Sequence, residues 1–418
     1  MFYNHFIYVN ILLTSREALF PTTGGHREYL FESVKGLADY GNHIDILSWG
    51  KEENYVYNNR NITEYHYKSD DDKLTTNLNL KFVKKFASSL GFGQMHTIKH
   101  KGLGIECSSN FLKNKYDIVL QNGPDSNSIA QYIGNKLQIP KIERLDWVGL
   151  PYRTKYYKMW LNYIGEPYYP YMYFYKFVDE YITKLEAAST AKMDFVYTHT
   201  RADMLKLSQF NTKSKLDYVM PFLNKKKEDI TNNNKKLNYK DKYILFYSTP
   251  SFNSFEAIKY LYKIAKKNEN LKFKITGNFE FMRKTFSREN LIFLGELPID
   301  EFYNILSNAY IVAFPLTTGH GIQMKLIRAF SYSKAVIAND GVLKPIENIM
   351  KDQEDIIIGE TPIDFYTKML DLYQDETLID KIGRNSYKVY EKYFSPDESI
   401  QGLNTYLNNC KNQYSNNL

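Results

Sequence analysis

Residues 309–340, AYIVAFPLTTGHGIQMKLIRAFSYSKAVIAND, limit what the rest of the chain can be. The apolar run at 311–315 reads as a buried strand and 317–321 as a glycine loop; a helix follows, then a second buried strand at 335–338. Short apolar, β-branched runs on either side of a helix predict a parallel α/β unit. Gly319 and Gly321 stand where the chain leaves a strand and enters a helix. Backbone N–H groups and the positive end of the helix would there face an anion. Within the helix Ile322, Leu326, Ala329 and Phe330 share one face, while Lys325 and Arg328 share another. Two cations in the first two turns oppose the helix dipole unless something negative binds there. A solvated basic face is the competing reading of the same residues.

The chain has 418 residues, too many for one ordinary core, so two domains are expected. Hydrophobic content of 43% and charge of 24% predict a soluble globular protein. A net charge of +7 suits anionic small molecules or an anionic membrane surface and falls short of a nucleic-acid footprint. Cys107 and Cys410 supply neither a disulfide framework nor metal-ligand spacing, which favours a reducing compartment. The apolar run at 6–13 has no charged n-region and no cleavage site, so it reads as a first strand and not as a signal peptide. No apolar run approaches the ~20 residues of a membrane span, and the expected location is cytoplasmic.

The first half opens with its own strand, glycine loop, helix and strand. Thr22-Thr23-Gly24-Gly25 precedes a helix with Leu30, Val34, Leu37 and Ala38 at the helical period; Gly41 is its stop and 43–48 the next strand. There is no G-x-G-x-x-G, so the paired glycines give either close backbone approach by a ligand or a tight turn alone. Asp70-Asp71-Asp72 has the look of a metal-holding D-x-D but reads better as a charged loop. Residues 81–101 mix cations with Phe, Leu and Met, which fits a helix on anionic lipid, a lid or a surface helix. Strands at 116–121 and 141–145 run out into Asn122, Asp125, Asp146 and Trp147. Ligands sit off the carboxyl ends of parallel strands, so these residues are candidates to line a cleft; Asp146 also fits a structural turn. The aromatic stretch 151–177 suits sugar stacking, a membrane interface or packing.

Residues 225–240 are polar and without period, as in a linker. A second α/β series then begins: a strand at 243–247 leading to Ser248, a helix at 255–266 after Asn253, and strands ending at Gly277 and Gly295. A helix at 299–307 leads into the opening stretch, and the tail from 362 is helical with a break at 393–396.

This order resembles the C-terminal domain of GT-B glycosyltransferases of the large retaining family 4. One subgroup carries a loop–helix close to G-I-Q-N-K-V-L-E-A-M and an Asn early in the first helix of that domain; GIQMKLIRAF at 321–330 and Asn253 are similar to both. The resemblance implies an α/β fold of two Rossmann-like domains facing across a cleft. An acceptor domain would span 1–224, a linker 225–240 and a nucleotide-sugar domain 241–395, with a helix at 396–418 crossing back to the first domain. It implies metal-independent, hexosyl-type transfer with retention from a nucleotide-sugar to a glycan or lipid-linked acceptor, with no cofactor besides that co-substrate.

With the strand-end residues, this gives Lys325, His320 and Asp146 as candidate catalytic groups. Gly24, Gly25, Ser248, Gly277, Gly295, Gly319, Gly321, Ile322, Gln323 and Arg328 are candidates for the donor, and Asn122, Asp125 and Trp147 for the acceptor. The chain departs from the family where a Glu, seven residues and a second Glu are usual: His320 and Arg328 stand there. The second Glu normally accepts from ribose hydroxyls, and a guanidinium has no acceptor. The Arg/Lys pair expected after the first strand of the domain is missing from 247–251. Donor phosphate can itself take the acceptor's proton, which leaves the protein to stabilise charge on the leaving diphosphate; one fixed donor there contributes ~3 kcal/mol. Lys325 and the helix N–H groups suit that task, and Arg328 could pair with a phosphate. The alternative is a silent GT-B protein that partners a second glycosyltransferase, and a peripheral membrane contact is also a candidate.

Overall fold

A computed structural model describes residues 8–15, 19, 25–49, 56–59, 61–67, 115–123, 127–168, 173–223 and 242–416. The first sheet begins with β1 (Asn10–Ser15) and β2 (His43–Trp49), connected through α1 (Gly25–Asp39). They pair in parallel from Asn10 opposite His43 to Ser15 opposite Ser48, the outcome of a strand–helix–strand crossover. Leu30, Val34, Leu37 and Ala38 of α1 are buried, as their spacing predicts. The helix ends at Gly41, whose φ of +94° is open to glycine at little cost.

β3 (Val56–Asn59) and β4 (Ile62–Tyr67) make an edge hairpin in the polar region before Asp70. Next come β5 (Ile118–Asn122), α2 (Asn127–Leu137) and β6 (Lys141–Leu145), then β7 (Tyr152–Arg153) and α3 (Tyr157–Ile164). α4 (Tyr175–Thr190), β8 (Phe195–Thr198), α5 (Arg201–Ser208) and β9 (Lys215–Tyr218) complete this half. The strand order is β3-β4-β2-β1-β5-β6-β8-β9, parallel except for β3. Helices cover both faces of such a sheet, so its central strands are buried almost throughout; every residue of β1 after Asn10 is buried.

The second sheet uses β10 (Ile244–Tyr247), α6 (Phe252–Lys267), β11 (Phe273–Thr276), α7 (Glu280–Phe286), β12 (Leu291–Gly295), α8 (Ile299–Ser307) and β13 (Ile311–Phe314). β14 (Thr318–Gly319), α9 (Met324–Ser331), β15 (Val336–Asn339), α10 (Asp340–Leu343), β16 (Ile357–Gly359), α11 (Pro362–Gln374) and α12 (Glu376–Tyr393) follow. Its order is β12-β11-β10-β13-β15-β16, all parallel. The last helix, α13 (Pro396–Ser415), buries Leu403, Leu407 and Cys410 in one core with Ile11, Leu13, Leu37 and Ile118.

The described residues form two compact units, and the division is not sequential. The first unit takes residues up to Leu150, Tyr173–Phe222 and those from Pro396 on; the second takes the rest. The sequence places 151–224 in one domain with the residues before it, but β7 and α3 pack in the second unit. β7 pairs antiparallel with β14, Tyr152 opposite Gly319 and Arg153 opposite Thr318. Trp160 of α3 lies edge-on to Tyr260 and Phe365, and its Nε1 donates to the Glu360 carbonyl at 3.0 Å. Leu223 joins the same unit, its N–H donating to the Phe394 carbonyl at 3.0 Å. The aromatic stretch therefore splits: Tyr157 and Trp160 are buried, while Tyr173, Phe174 and Phe177 are exposed around the start of α4. The expected linker 225–240, Asp70 to Asp72, residues 81–101 and Cys107 lie outside the described residues. No described helix is long and apolar enough to cross a membrane.

Leu407 is fully buried between α13 and the first sheet. Leu407→Ala should cost about 2–5 kcal/mol of local stability. Hydrogen–deuterium exchange should show the loss of protection in β1, β2 and β5, with β10, β11 and β13 unchanged.

Candidate functional site

In the second unit three strand ends meet closely. Ser248 N–H donates to the Thr276 carbonyl at 3.3 Å, and Gly277 N–H to the Gly295 carbonyl at 2.9 Å. Gly277 has φ +129°, and a Cβ there would run into the Ser248 carbonyl, so backbone approach between strands already demands glycine. Lys325, in the first turn of α9, reaches over this edge. Its Nζ donates to Ser248 Oγ at 2.6 Å; Ser248 Oγ is 2.7 Å from Ser254 Oγ, which is 2.8 Å from Ser251 Oγ. Ser251 also caps α6 by accepting Ser254 N–H, and Tyr247 OH donates to the Lys325 carbonyl at 2.6 Å, pinning the start of α9 to β10. Burial pulls the Lys325 ammonium down to about 8. The dipole of α9 disfavours the same charge, so an arriving anion would relieve both.

The glycine loop beside it is held on three sides. β7 pairs with β14 along one edge. Asn253 donates its amide to the Thr318 carbonyl and accepts Thr318 N–H at 3.4 Å. One turn along α6, Glu256 accepts Thr317 Oγ–H at 2.8 Å and Tyr157 OH at 2.9 Å. Burial raises the Glu256 carboxyl above its usual range, against the pull of those two hydroxyls. Gly319 lies against Gly341, where a Cβ would come within 2.6 Å of the Gly341 carbonyl. Gln323 donates to the His320 carbonyl at 2.7 Å and its own carbonyl accepts Leu326 N–H at 2.8 Å, closing the turn into α9. Ile322 precedes the helix instead of lying within it.

The basic face expected of α9 does not form. Arg328 is 7% exposed; it donates to Tyr303 OH, and its guanidinium lies 5.3 Å from the centre of that ring. Tyr303 in turn stacks on Tyr332 with centroids 5.4 Å apart. Arg328 thus packs on α8, with Tyr303 as its partner. Lys325 and Arg328 are neighbours at i,i+3 on the helix, yet the one side chain reaches Ser248 and the other Tyr303.

In the first unit Asn122 ends β5 and reaches Ser15 Oγ, at the end of β1, at 3.4 Å. Asp146 and Trp147 follow β6, and Asp146 Oδ1 accepts from Arg144 and lies 3.3 Å from His199 Nε2. The next three backbone N–H groups each meet a carboxylate: Val148 to Asp203 at 3.1 Å, Gly149 to Glu186 at 2.7 Å and Leu150 to Asp179 at 2.7 Å. Lys206 joins Asp179 at 2.6 Å and the Val148 carbonyl at 3.1 Å. Burial is the main cause that lifts Glu186 from 4.5 to about 7. Gly25 opens α1, while Gly24 and Asp125 lie outside the described residues. Among the described residues no group of three or more His, Cys, Asp or Glu is arranged to hold a metal ion.

Sequence reasoning missed Arg144, His199, Glu186, Asp203 and Glu256. Only Thr200-x-x-Asp203 carried a signal, the pattern of a helix cap, and Thr200 does cap α5 by accepting Asp203 N–H.

Residues 246–375 match the protein-family model described as "Glycosyl transferases group 1". No curated protein sequence matches the chain. Among solved structures, the sucrose-phosphate synthase of Thermosynechococcus elongatus is similar at TM-score 0.65 and 13% identity, covering 96% of this chain and 98% of its own. Anabaena HepE, in complex with UDP and glucose, gives 0.64 and 10%, covering 96% and 100%. TarM gives 0.65 and 14%, covering 97% and 99%. At these identities the likeness is one of fold, and the fold is GT-B with two parallel-sheet α/β domains.

Replacing Glu256 with Leu leaves the Thr317 and Tyr157 hydroxyls without their shared acceptor. An unsatisfied buried group costs about 1–3 kcal/mol, so the thermal midpoint should fall while Glu256→Gln, which keeps one acceptor oxygen, falls less. The Glu186 carboxyl has a higher pKa folded than unfolded, so between 4.5 and about 7 the folded state holds the extra proton. That contribution is complete below 4.5 and is lost as pH rises toward 7. Denaturation of Glu186→Gln across this range should show a flatter pH dependence than the parent chain.

Proposed function

We propose that the chain is a glycosyltransferase that moves a sugar from a nucleotide-sugar to a glycan or lipid-linked acceptor, with retention of configuration. The observation that carries this reading is Lys325. A half-buried ammonium at the start of α9, with Ser248 Oγ as its neighbour, sits beside a braced glycine loop at the carboxyl ends of a parallel sheet. Such a place suits a diphosphate. The match of residues 246–375 to group 1 glycosyl transferases supports the same reading, as do neighbours described with UDP and glucose, or with UDP and α-GlcNAc-glycerol.

In this reading Lys325 and the first amides of α9 stabilise the charge that grows on the leaving diphosphate. The donor phosphate takes the acceptor's proton, and the carboxylate of Asp146 orients the acceptor. A second reading, a catalytically silent GT-B protein that acts as binding or scaffold partner of an active transferase, is favoured by one observation: the position of the usual ribose-binding Glu is Arg328, buried against Tyr303.

Thermal shift and calorimetry with UDP, other nucleoside diphosphates and their sugars provide the test. At least one should raise the melting temperature, and Lys325→Ala should abolish the shift. Anion binding favours the charged lysine, so affinity should weaken as pH rises through about 8. No shift with any of these ligands sinks the transferase reading. Binding without donor consumption, together with co-purification of a second transferase, selects the silent one. NMR of the product's anomeric centre decides retention.

A further inference from the structure

The carboxyl edge of the first sheet holds a buried charge cluster for which the donor site has no use. Arg144 is 2% exposed, and its guanidinium lies 4.7 Å over the Tyr29 ring. Along one edge of that plane, Nε donates to His199 Nε2 at 3.2 Å and Nη2 donates to Asp146 Oδ1. His199 directly follows β8, and its Nδ1 is 2.9 Å from the Val219 carbonyl. A carbonyl only accepts, so Nδ1 bears the hydrogen and a neutral ring offers its Nε2 lone pair to Arg144.

The same Nε2 stands 3.3 Å from Asp146 Oδ1. Adding a proton there turns an acceptor into a donor aimed at Asp146 and sets a second cation 3.2 Å from Arg144 Nε. Neutral and protonated imidazole therefore hold the same carboxylate in different ways. The other groups around the ring are Tyr29 on α1 and Tyr197 on β8, with ring centroids at 4.9 and 6.1 Å, and Asp203 on α5, whose carboxyl feels the imidazole charge. Burial keeps both phenols protonated.

We propose that Arg144 and neutral His199 are positioning residues for Asp146: the imidazole fixes the guanidinium, the guanidinium fixes the carboxylate, and protonation of His199 undoes this arrangement in acid. This rests on the transferase reading with Asp146 at the acceptor. Neither residue touches substrate. Their contribution is to orientation, where small displacements cost up to about 100-fold in rate.

The test combines kinetics and NMR on the full chain. Turnover with saturating donor should fall in acid. His199→Ala and Arg144→Gln should each lower kcat about tenfold or more while leaving UDP affinity at the Lys325 site unchanged. His199→Gln, which keeps a neutral acceptor beside Arg144, should recover part of the activity lost in His199→Ala and no longer fall in acid. Imidazole 15N shifts, assigned by comparison with His199→Gln, should give the Nδ1–H tautomer on the alkaline side.

An Nε2–H tautomer, an intact acid fall in His199→Gln, or equal loss of UDP binding in Arg144→Gln overturns the proposal. Absence of transfer by the parent chain refutes the transferase reading itself. The arrangement is then decided by the Asp146 carboxyl 13C shift. A shift that follows the His199 titration upholds it, and one that ignores that titration overturns it.

Discussion

A carboxylate leaves water only where donors meet it, because an unpaired buried charge costs several kcal/mol. Glu256 meets that condition with Tyr157 OH on one oxygen and Thr317 Oγ–H on the other. Those partners lie about a hundred residues upstream and sixty downstream, so one side chain joins three segments of the second unit. The glycine loop keeps its shape because of what stands behind it: Glu256 and Asn253 on α6, β7 along its edge and Gly341 at its back. Loop residues are seldom fixed by their own sequence, and here a rigid scaffold does the fixing.

Three cations lie on α9 or just after it, and each has a different environment. Arg328 rests on an aromatic ring and a phenol. Lys334 is fully buried and donates to the carbonyls of Ser307 and Ala309, closing the end of α8; burial brings its ammonium down to about 7. Those carbonyls carry the negative end of the α8 dipole, so its partners suit a cation. Lys325 has Ser248 Oγ near the positive end of a helix. Of the three, it is the one whose surroundings a bound phosphate would improve.

Much of the fold was legible in the sequence because parallel strands covered on both faces leave long apolar runs. β6 and α8 appear where their patterns put them, and the α1 face is the one its period marks. The glycine loop and Lys325 could be read for the same reason, since a motif at a strand–helix junction is local. The failures are all non-local. Charge on Arg328 and Lys325 looks alike in one dimension, and only the placement of Tyr303 separates them. Nothing in YRTKYY announces that β7 pairs with residues 318–319. Arg144 and His199 are 55 residues apart and meet only because β6 and β8 are neighbours in the sheet. Residue types that form buried polar clusters are the same ones that populate surfaces, so composition cannot distinguish the two.

The excursion of residues 151–168 into the second unit bears on how such a chain can be divided or exchanged. A fragment begun after residue 241 would contain the whole second sheet yet lack Trp160, leaving an apolar notch between Tyr260 and Phe365. It would also leave the β14 edge open and Glu256 short of one donor. Recombination between related genes at the apparent domain junction would join a loop from one parent to a brace from the other. Residues of that brace, among them Tyr152, Tyr157 and Trp160, are therefore inherited usefully only with the second half, although the first half encodes them.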